Sequence, residues 1–313
     1  MRLTDLRLIS RHVSFVTLMY GGRFGLQLGP ALPCFSCPYV GGCAGNCYLM
    51  GLQGYIGLGA KFAGLWSPEA LRAAGWLAVF LALCLTLGKA WCGWVCPFGL
   101  LSDWLTFLRR KLGLRALQLS PRTLRGLGSV KYLLLAWLLI GPVLIRLGLL
   151  HPDFYLPFCQ ICPGKSLLPL FAGETRYLAL DLTNPVTAGL SGALIVISAF
   201  MVAGMFWRER FFCLFCPMLA ILHLLKPFYA LKLLKNPSVC RGCAACRRVC
   251  PMEIEAVFLE KSPRRVQVQP AECLGCGDCL AHCASGGGLE FRFLGRRLIA
   301  SSGRQARGEG LIP

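Results

Sequence analysis

Acidic residues are scarce in this chain: 14 Asp and Glu stand against 33 Lys and Arg in 313 residues, and the four types together make up only 15%. Soluble domains carry more charge than that, so the deficit argues for a polytopic membrane protein. Histidine is rarer still, with four in all, and His223 and His282 have no ligand partner at a recognisable spacing. The seven methionines are scattered, which leaves no Met-rich cluster to support copper delivery. The N-terminal MRLTDLRLISRH is basic, but no small-residue cleavage site follows a compact apolar core, so it does not read as a signal peptide.

What the chain does have is apolar length and cysteine. Hydrophobic residues account for 56%, and the 19 cysteines fall mostly in pairs or runs of four. A long, greasy chain is not a small secreted domain stapled by disulfides, so metal binding is the better reading of the cysteines. The net charge of +19 does not imply nucleic acid, because the basic residues cluster beside apolar runs where the positive-inside rule expects them.

Four stretches approach the ~20 apolar residues that a membrane crossing needs: about 12–32, 70–90, 130–150 and 184–207. The first is interrupted by Arg23, and the third by Arg146, where a long side chain can snorkel. An intramembrane Arg23 is a functional suspect by default, with snorkelling as the alternative. Fifteen Lys and Arg lie in segments 1–12, 103–131 and 208–235, against three in segments 24–71 and 151–181. This asymmetry predicts a multi-pass protein of a bacterial-type inner membrane with both termini in the cytoplasm. Trp66, Trp91, Trp94, Trp104 and Trp207 fall at the expected interfaces and read as belt residues.

Each expected span delivers a cysteine pair followed by proline: CFSCP (Cys34, Cys37), CGWVCP (Cys92, Cys96), CQICP (Cys159, Cys162) and CLFCP (Cys213, Cys216). The Pro38–Pro97 separation is 59 residues and Pro163–Pro217 is 54, which implies a duplicated two-helix unit. A proline behind the second cysteine removes an amide donor and is expected to end helical pairing near the thiolates. The topology puts Cys34, Cys37, Cys159 and Cys162 on the outer side, and Cys92, Cys96, Cys213 and Cys216 on the inner side. Four thiolates is the number that an iron–sulfur cluster or a structural zinc requires; inert thiols, or a disulfide on the outer side, are the alternatives. Cys43 and Cys47 in GGCAGNC form a further pair, either a disulfide or replacement ligands for one of the outer pairs. Cys84 stands alone inside a span and reads as a buried inert thiol.

Residues 240–251, CRGCAACRRVCP, follow the C-x₂-C-x₂-C-x₃-C-P run, and residues 273–283, CLGCGDCLAHC, repeat the spacing with Ala284 in place of proline. This is the bacterial two-cluster pattern, in which the fourth cysteine reaches across to the other cubane. It assigns Cys240, Cys243, Cys246 and Cys283 to one [4Fe–4S] cluster and Cys273, Cys276, Cys279 and Cys250 to the second. A zinc ribbon uses two cysteine pairs, whereas each motif here has three tightly spaced cysteines and a fourth three residues on. The expected fold is therefore an α-helical membrane protein, with four transmembrane helices over 1–235 built as a duplicated two-helix unit. A small α+β ferredoxin-like domain follows over 236–292, and then a basic tail, 293–313, expected to be disordered.

WCGWVCP, FCLFCP and the tandem ferredoxin motifs, over roughly 70–285, resemble the membrane-bound ferredoxin family that includes NapH-type quinol dehydrogenase subunits, NosR-type proteins and the CcoG type. The resemblance implies electron transfer between quinones, cytoplasmic donors and periplasmic partners such as a reductase or cytochrome, often for maturation or reactivation of a metalloenzyme. The chain carries more outer cysteine pairs than a NapH-type protein would. Quinol oxidation would need a proton acceptor at the membrane surface, and His151 and Asp153 hold that position, with an interfacial histidine beside a helix-terminal carboxylate as the plain alternative. Rival readings are a metal-handling protein that uses the paired thiols and a non-redox subunit whose clusters only stabilise it.

Overall fold

The computed structural model describes residues 3–32, 37–58, 67–260 and 265–303. The chain forms two compact units: one gathers Met1–Ser10, Cys84–Val95 and Leu222–Pro313, the other Arg11–Leu83 and Cys96–Ile221.

The second unit is helical. Its long elements are α1 (Leu3–Tyr20), whose first turns belong to the other unit, α2 (Tyr48–Leu58), α3 (Pro68–Leu87), α4 (Pro97–Lys111), α5 (Pro121–Arg146), α6 (Pro157–Ile161), α7 (Pro185–Trp207) and α8 (Pro217–Leu224). Most begin at a proline, which fits the first turn because the missing N–H would be unpaired there anyway. Asn184 starts α7 with a capping box: its side chain accepts from Thr187 N at 2.8 Å, and Thr187 Oγ1 accepts from Asn184 N at 3.2 Å. At the other end of α7, Arg109 Nη1 donates to the terminal carbonyl of Trp207 at 2.8 Å.

Among the described residues, three helices are long and apolar enough to cross a membrane: Pro68–Leu87, Arg122–Arg146 and Pro185–Trp207. The span expected over 12–32 does not form over those bounds. Its helix runs Leu3–Tyr20, a 3₁₀ turn covers Gly21–Phe24, and residues 25–31 are irregular. Asp5, Arg7 and Arg11 lower its hydropathy below that of a free-standing span, yet it exposes Leu6, Leu8, Ile9, Val13 and Val16 along its outside. Arg23 lies in the 3₁₀ turn, exposed, with its guanidinium 5.7 Å from the Tyr20 ring centre.

Several basic residues that the charge count places at the membrane surface are buried inside the helical unit: Arg11, Arg109, Arg208 and Arg210. Asp103 on α4 binds two of them. It accepts from Arg210 Nη2 at 2.8 Å through Oδ1 and pairs with Arg11 through Oδ2. Burial of this cationic group is permitted by the shared carboxylate.

The other unit is built on a four-stranded antiparallel sheet, in spatial order β2-β1-β3-β4, from β1 (Leu231–Lys235), β2 (Val266–Gln267), β3 (Leu289–Phe293) and β4 (Arg296–Ala300). The tail expected to be disordered from 293 therefore begins as strand β4, paired to β3, and Ser301 continues the anchor by accepting from Gly287 N at 2.9 Å. Residues 304–313 lie outside the described residues. The sheet packs with two borrowed segments. Arg7 pairs with Asp278, and Lys89 Nζ donates to the carbonyls of Pro270 and Ala271, the latter at 3.3 Å.

Trp91 and Trp94 do not serve as belt residues. Trp91 is buried, and Trp94 Nε1 donates to Gly275 O at 3.2 Å. Trp104 and Trp207 are partly exposed, whereas Trp66 lies outside the described residues. Cys84 is fully buried among apolar groups.

Candidate cysteine-lined redox centres

The ferredoxin-like unit gathers Cys240, Cys243, Cys246 and Cys283 around one cavity of about 380 Å³. Cys250, Cys273, Cys276 and Cys279 line another of about 420 Å³, with Cys246 also on its wall. Each cavity is the meeting place of the cysteine set that the spacing pairs. Local backbone aims donors at the sulfurs: Gly275 N lies 3.4 Å from Cys273 Sγ, and Ile254 N lies 3.5 Å from Cys250 Sγ. Hydrogen bonds of this kind compensate negative charge on thiolate-bound clusters and raise their potential. Buried Lys235 on β1 closes the first cavity and donates to the carbonyls of Val257, Phe258 and Glu260 at 2.8, 3.0 and 2.8 Å.

Cys92 belongs to this same unit, in the segment Cys84–Val95. A side chain at Gly93 would sit 2.8 Å from both Leu274 O and the Cα of Cys276. Only a glycine lets the WCGWV turn lie directly on the loop that carries Cys273 and Cys276. The sequence offers a signal for this contact in the bare glycine between two tryptophans, but nothing that names its partner.

In the helical unit, Cys96, Cys213 and Cys216 come together around Arg210. Cys96 is the residue before the first turn of α4, and Cys216 precedes α8, with the N–H groups of Met218 and Leu219 directed at its sulfur. The proline behind each cysteine therefore opens the next helix instead of merely ending pairing. A thiolate placed there meets unpaired amides and the positive end of the helix. Burial pushes the Cys213 thiol up to about 12 and Cys216 well above its ordinary value, with Arg210 opposing the rise at Cys213. Arg210 is 1% exposed and held in a left-handed conformation at φ 60°. Its Nε and Nη1 meet no hydrogen-bond partner among the described residues. Two buried N–H groups facing thiols match the chemistry of an anionic metal–sulfur group. Cys92, four residues before Cys96, lies in the other unit.

Three members of the expected outer set meet, together with one cysteine of the unassigned pair. Cys37, Cys47, Cys159 and Cys162 line a third cavity, of about 330 Å³. Cys34 lies outside the described residues, and Cys47 joins the other three thiols on this wall. The pair Cys43/Cys47 is split: Cys47 faces the cavity, whereas Cys43 Sγ donates to Gly45 O at 3.2 Å. Neither is joined in a disulfide in this structure. Position 47 ends a loop and precedes α2, which long-range packing decides, so spacing alone could not select it.

Gln53 on α2 was not singled out in the sequence. Fully buried, it donates through Nε2 to Leu49 O at 3.1 Å and to Cys159 Sγ at 3.3 Å, and it accepts from Phe158 N through Oε1 at 2.9 Å. Beside it, a side chain at Gly141 of α5 would lie 2.6 Å from Pro157 Cγ, so a glycine is needed for α6 to approach with Cys159. Among the described residues, no histidine lines any of the three cavities. His151 Nδ1 lies 3.3 Å from Asp153 Oδ2, and Asp153 borders an open cavity with Lys165, Tyr177 and Asp181.

Known proteins repeat parts of this pattern. The family model described as "4Fe-4S binding domain" matches residues 70–115 and 188–236, and that described as "4Fe-4S dicluster domain" matches 232–284. YccM of Escherichia coli K12, an electron-transport protein by name, is 30% identical over 219 residues, covering 69% of this chain and 54% of YccM. The chain thus spans about half the length of that relative. The ferredoxin-type protein NapH of Haemophilus influenzae is 26% identical over 221 residues, 69% of this chain and 67% of NapH. The regulatory protein NosR of Pseudomonas aeruginosa is 27% identical over 206 residues, 65% of this chain and 25% of NosR. No solved structure matches the chain. The first matched model reaches over two of the apolar helices and the second over the ferredoxin-like unit, so the chain is similar to the NapH/NosR-type membrane-bound 4Fe–4S ferredoxins.

Proposed function

We propose that this chain is an inner-membrane electron carrier, moving single electrons between two ferredoxin-type clusters in the cytoplasm, a thiolate centre at the inner membrane face and a periplasmic redox partner. Iron–sulfur clusters supply reversible one-electron redox chemistry at fixed positions. The protein's part is to hold them, tune them and set their spacing. Cys240, Cys243, Cys246 and Cys283 would hold one, and Cys273, Cys276, Cys279 and Cys250 the second. Cys96, Cys213 and Cys216 supply thiolates for the inner centre, and the spacing of CGWVCP offers Cys92 as a fourth. Arg210 brings positive charge and two N–H donors to that centre, which favours the more negative, reduced state.

The observation that carries this reading is the seat of Gly93 against Leu274 and Cys276. The first membrane thiol, Cys92, is one residue from backbone that touches the second ferredoxin loop.

Four crossings with both termini inside is the topology that fits. Tyr20 at the end of α1 donates to Phe171 O at 2.6 Å, in the lysine-poor loop 151–181. Eighteen helical residues span about 27 Å, close to the ~30 Å hydrocarbon core. A quinol is a fitting membrane donor, with the His151–Asp153 pair as proton acceptor at the outer surface.

The test is iron and sulfide content with redox-titrated EPR on the purified full chain. Cys276→Ser should remove one ferredoxin signal, and Cys96→Ser should remove a distinct one. If Cys96→Ser left every signal in place, the inner centre would be ruled out while the ferredoxin clusters stood.

A further inference from the structure

We propose that Cys37, Cys47, Cys159 and Cys162 ligate a further [4Fe–4S] cluster on the outer side of the membrane unit. The proposal rests on the electron-carrier reading above and extends it to a site that neither family match reaches, since those matches cover 70–115, 188–236 and 232–284.

Size is the first argument. The cavity among these thiols, about 330 Å³, is on the scale of the 380 and 420 Å³ cavities at the two ferredoxin-type sets. The donor set is the second. Every sulfur has an N–H directed at it: Tyr39 N at Cys37, Leu49 and Met50 N at Cys47, Gly164 N at Cys162, and the Gln53 amide at Cys159. Inert buried thiols have no need of such donors, whereas thiolates bound to iron do. The rest of the wall is apolar, from Leu49, Met50 and Phe158, apart from Tyr39 and Lys165. Lys165 brings the compensating charge and is itself held by Gln160 Oε1 at 2.5 Å.

Spacing separates a cluster from a single ion. A tetrahedral zinc with bonds near 2.3 Å draws its four sulfurs to within ~3.8 Å of one another. Among the described residues, no three His, Cys, Asp or Glu side chains converge closely enough for one metal ion. The same holds at the ferredoxin motifs, whose four-thiolate sets would hold a cubane. Cys43, turned to Gly45, is not part of the set.

The experiment compares Cys47→Ser, Cys34→Ser and Gln53→Glu in the anaerobically purified full chain, by metal analysis and potentiometric EPR. Cys47→Ser should lose about four irons and one signal, while Cys34→Ser keeps both. Gln53→Glu removes an N–H donor but retains the acceptor for Phe158, so the same signal should persist at a lower potential. Iron content unchanged in Cys47→Ser, loss of iron in Cys34→Ser instead, or stoichiometric zinc in the wild type would each overturn the assignment. If Cys47→Ser fails to fold, the Gln53→Glu potential decides: an unshifted spectrum refutes the site. Failure of the broader reading appears separately, as unchanged signals in Cys276→Ser.

Discussion

Asp103 neutralises two buried arginines at once, and removing its charge should destabilise the helical unit severely. Arg11 is 3% exposed and Arg210 1%, with Asp103 itself at 21%. At ~4 Å between charge centres and an effective dielectric near 20, each pair contributes about 4 kcal/mol of gross attraction, largely cancelled by the desolvation of its members. Deleting the carboxylate cancels the attraction but leaves both guanidinium groups buried, and breaking such a pair costs about 3–5 kcal/mol. Asp103→Asn keeps the shape and one acceptor oxygen, so the loss reports charge and not a cavity. The expected result is that loss in an equilibrium denaturant titration of the full chain in micelles, followed by tryptophan fluorescence. Amide exchange should quicken in Leu3–Tyr20, because Arg11 ties that helix to α4. Adding Arg11→Met to Asp103→Asn should recover part of the stability by removing one orphaned cation. A change below ~1 kcal/mol, with native exchange in α1, would refute the reasoning, since it is what an exposed ion pair would give.

Other consequences are as direct. Lys235→Met strips hydrogen bonds from three carbonyls of the 257–260 loop and should cost ~3 kcal/mol, seen as faster iron loss to a chelator from the Cys240-set cluster alone. Gly93→Ala forces its Cβ against Leu274 O and the Cα of Cys276, and should broaden or shift the EPR signal of the Cys273-set cluster while leaving the other unchanged. In cluster-free protein, burial pushes Cys159 up to about 11 and Cys47 to about 12. Raised values keep these thiols protonated at neutral pH, with a thiolate fraction for Cys159 of about a thousandth at pH 8. A charged alkylating reagent should therefore modify exposed Cys240 and Cys243 first. Labelling of Cys159 should rise about tenfold per pH unit until near its own value, and a flat profile from pH 7 to 10 would count against this.

Some features were legible because they are local. The ferredoxin motifs are spacings within a dozen residues, and the helices over 68–87, 122–146 and 185–207 follow from long, mostly apolar runs. The helix near the N-terminus was misplaced because it begins among charges, and its Arg7 and Arg11 find their partners, Asp278 and Asp103, far along the chain. The end of the chain read as a polar tail, yet β4 forms because β3 offers it a partner edge, a non-local pairing that composition does not reveal. The prolines behind the cysteines read as breaks; their role as first residues of α4 and α8 appears only once those helices exist.

The sequence by itself determined the class of molecule: an apolar, cysteine-rich chain with two ferredoxin motifs and repeated cysteine–proline pairs, since hydropathy and ligand spacing are properties of short stretches. Only the tertiary structure decided which outer cysteines meet. Cys37, Cys47, Cys159 and Cys162 come from three separate segments, and their convergence depends on Gln53 joining α2 to α6 and on Gly141 admitting Pro157. The same is true of the contact between the WCGWV turn and the second ferredoxin loop. Ligand sets assembled across long loops are selected by packing, and packing is not written at any one position of the chain.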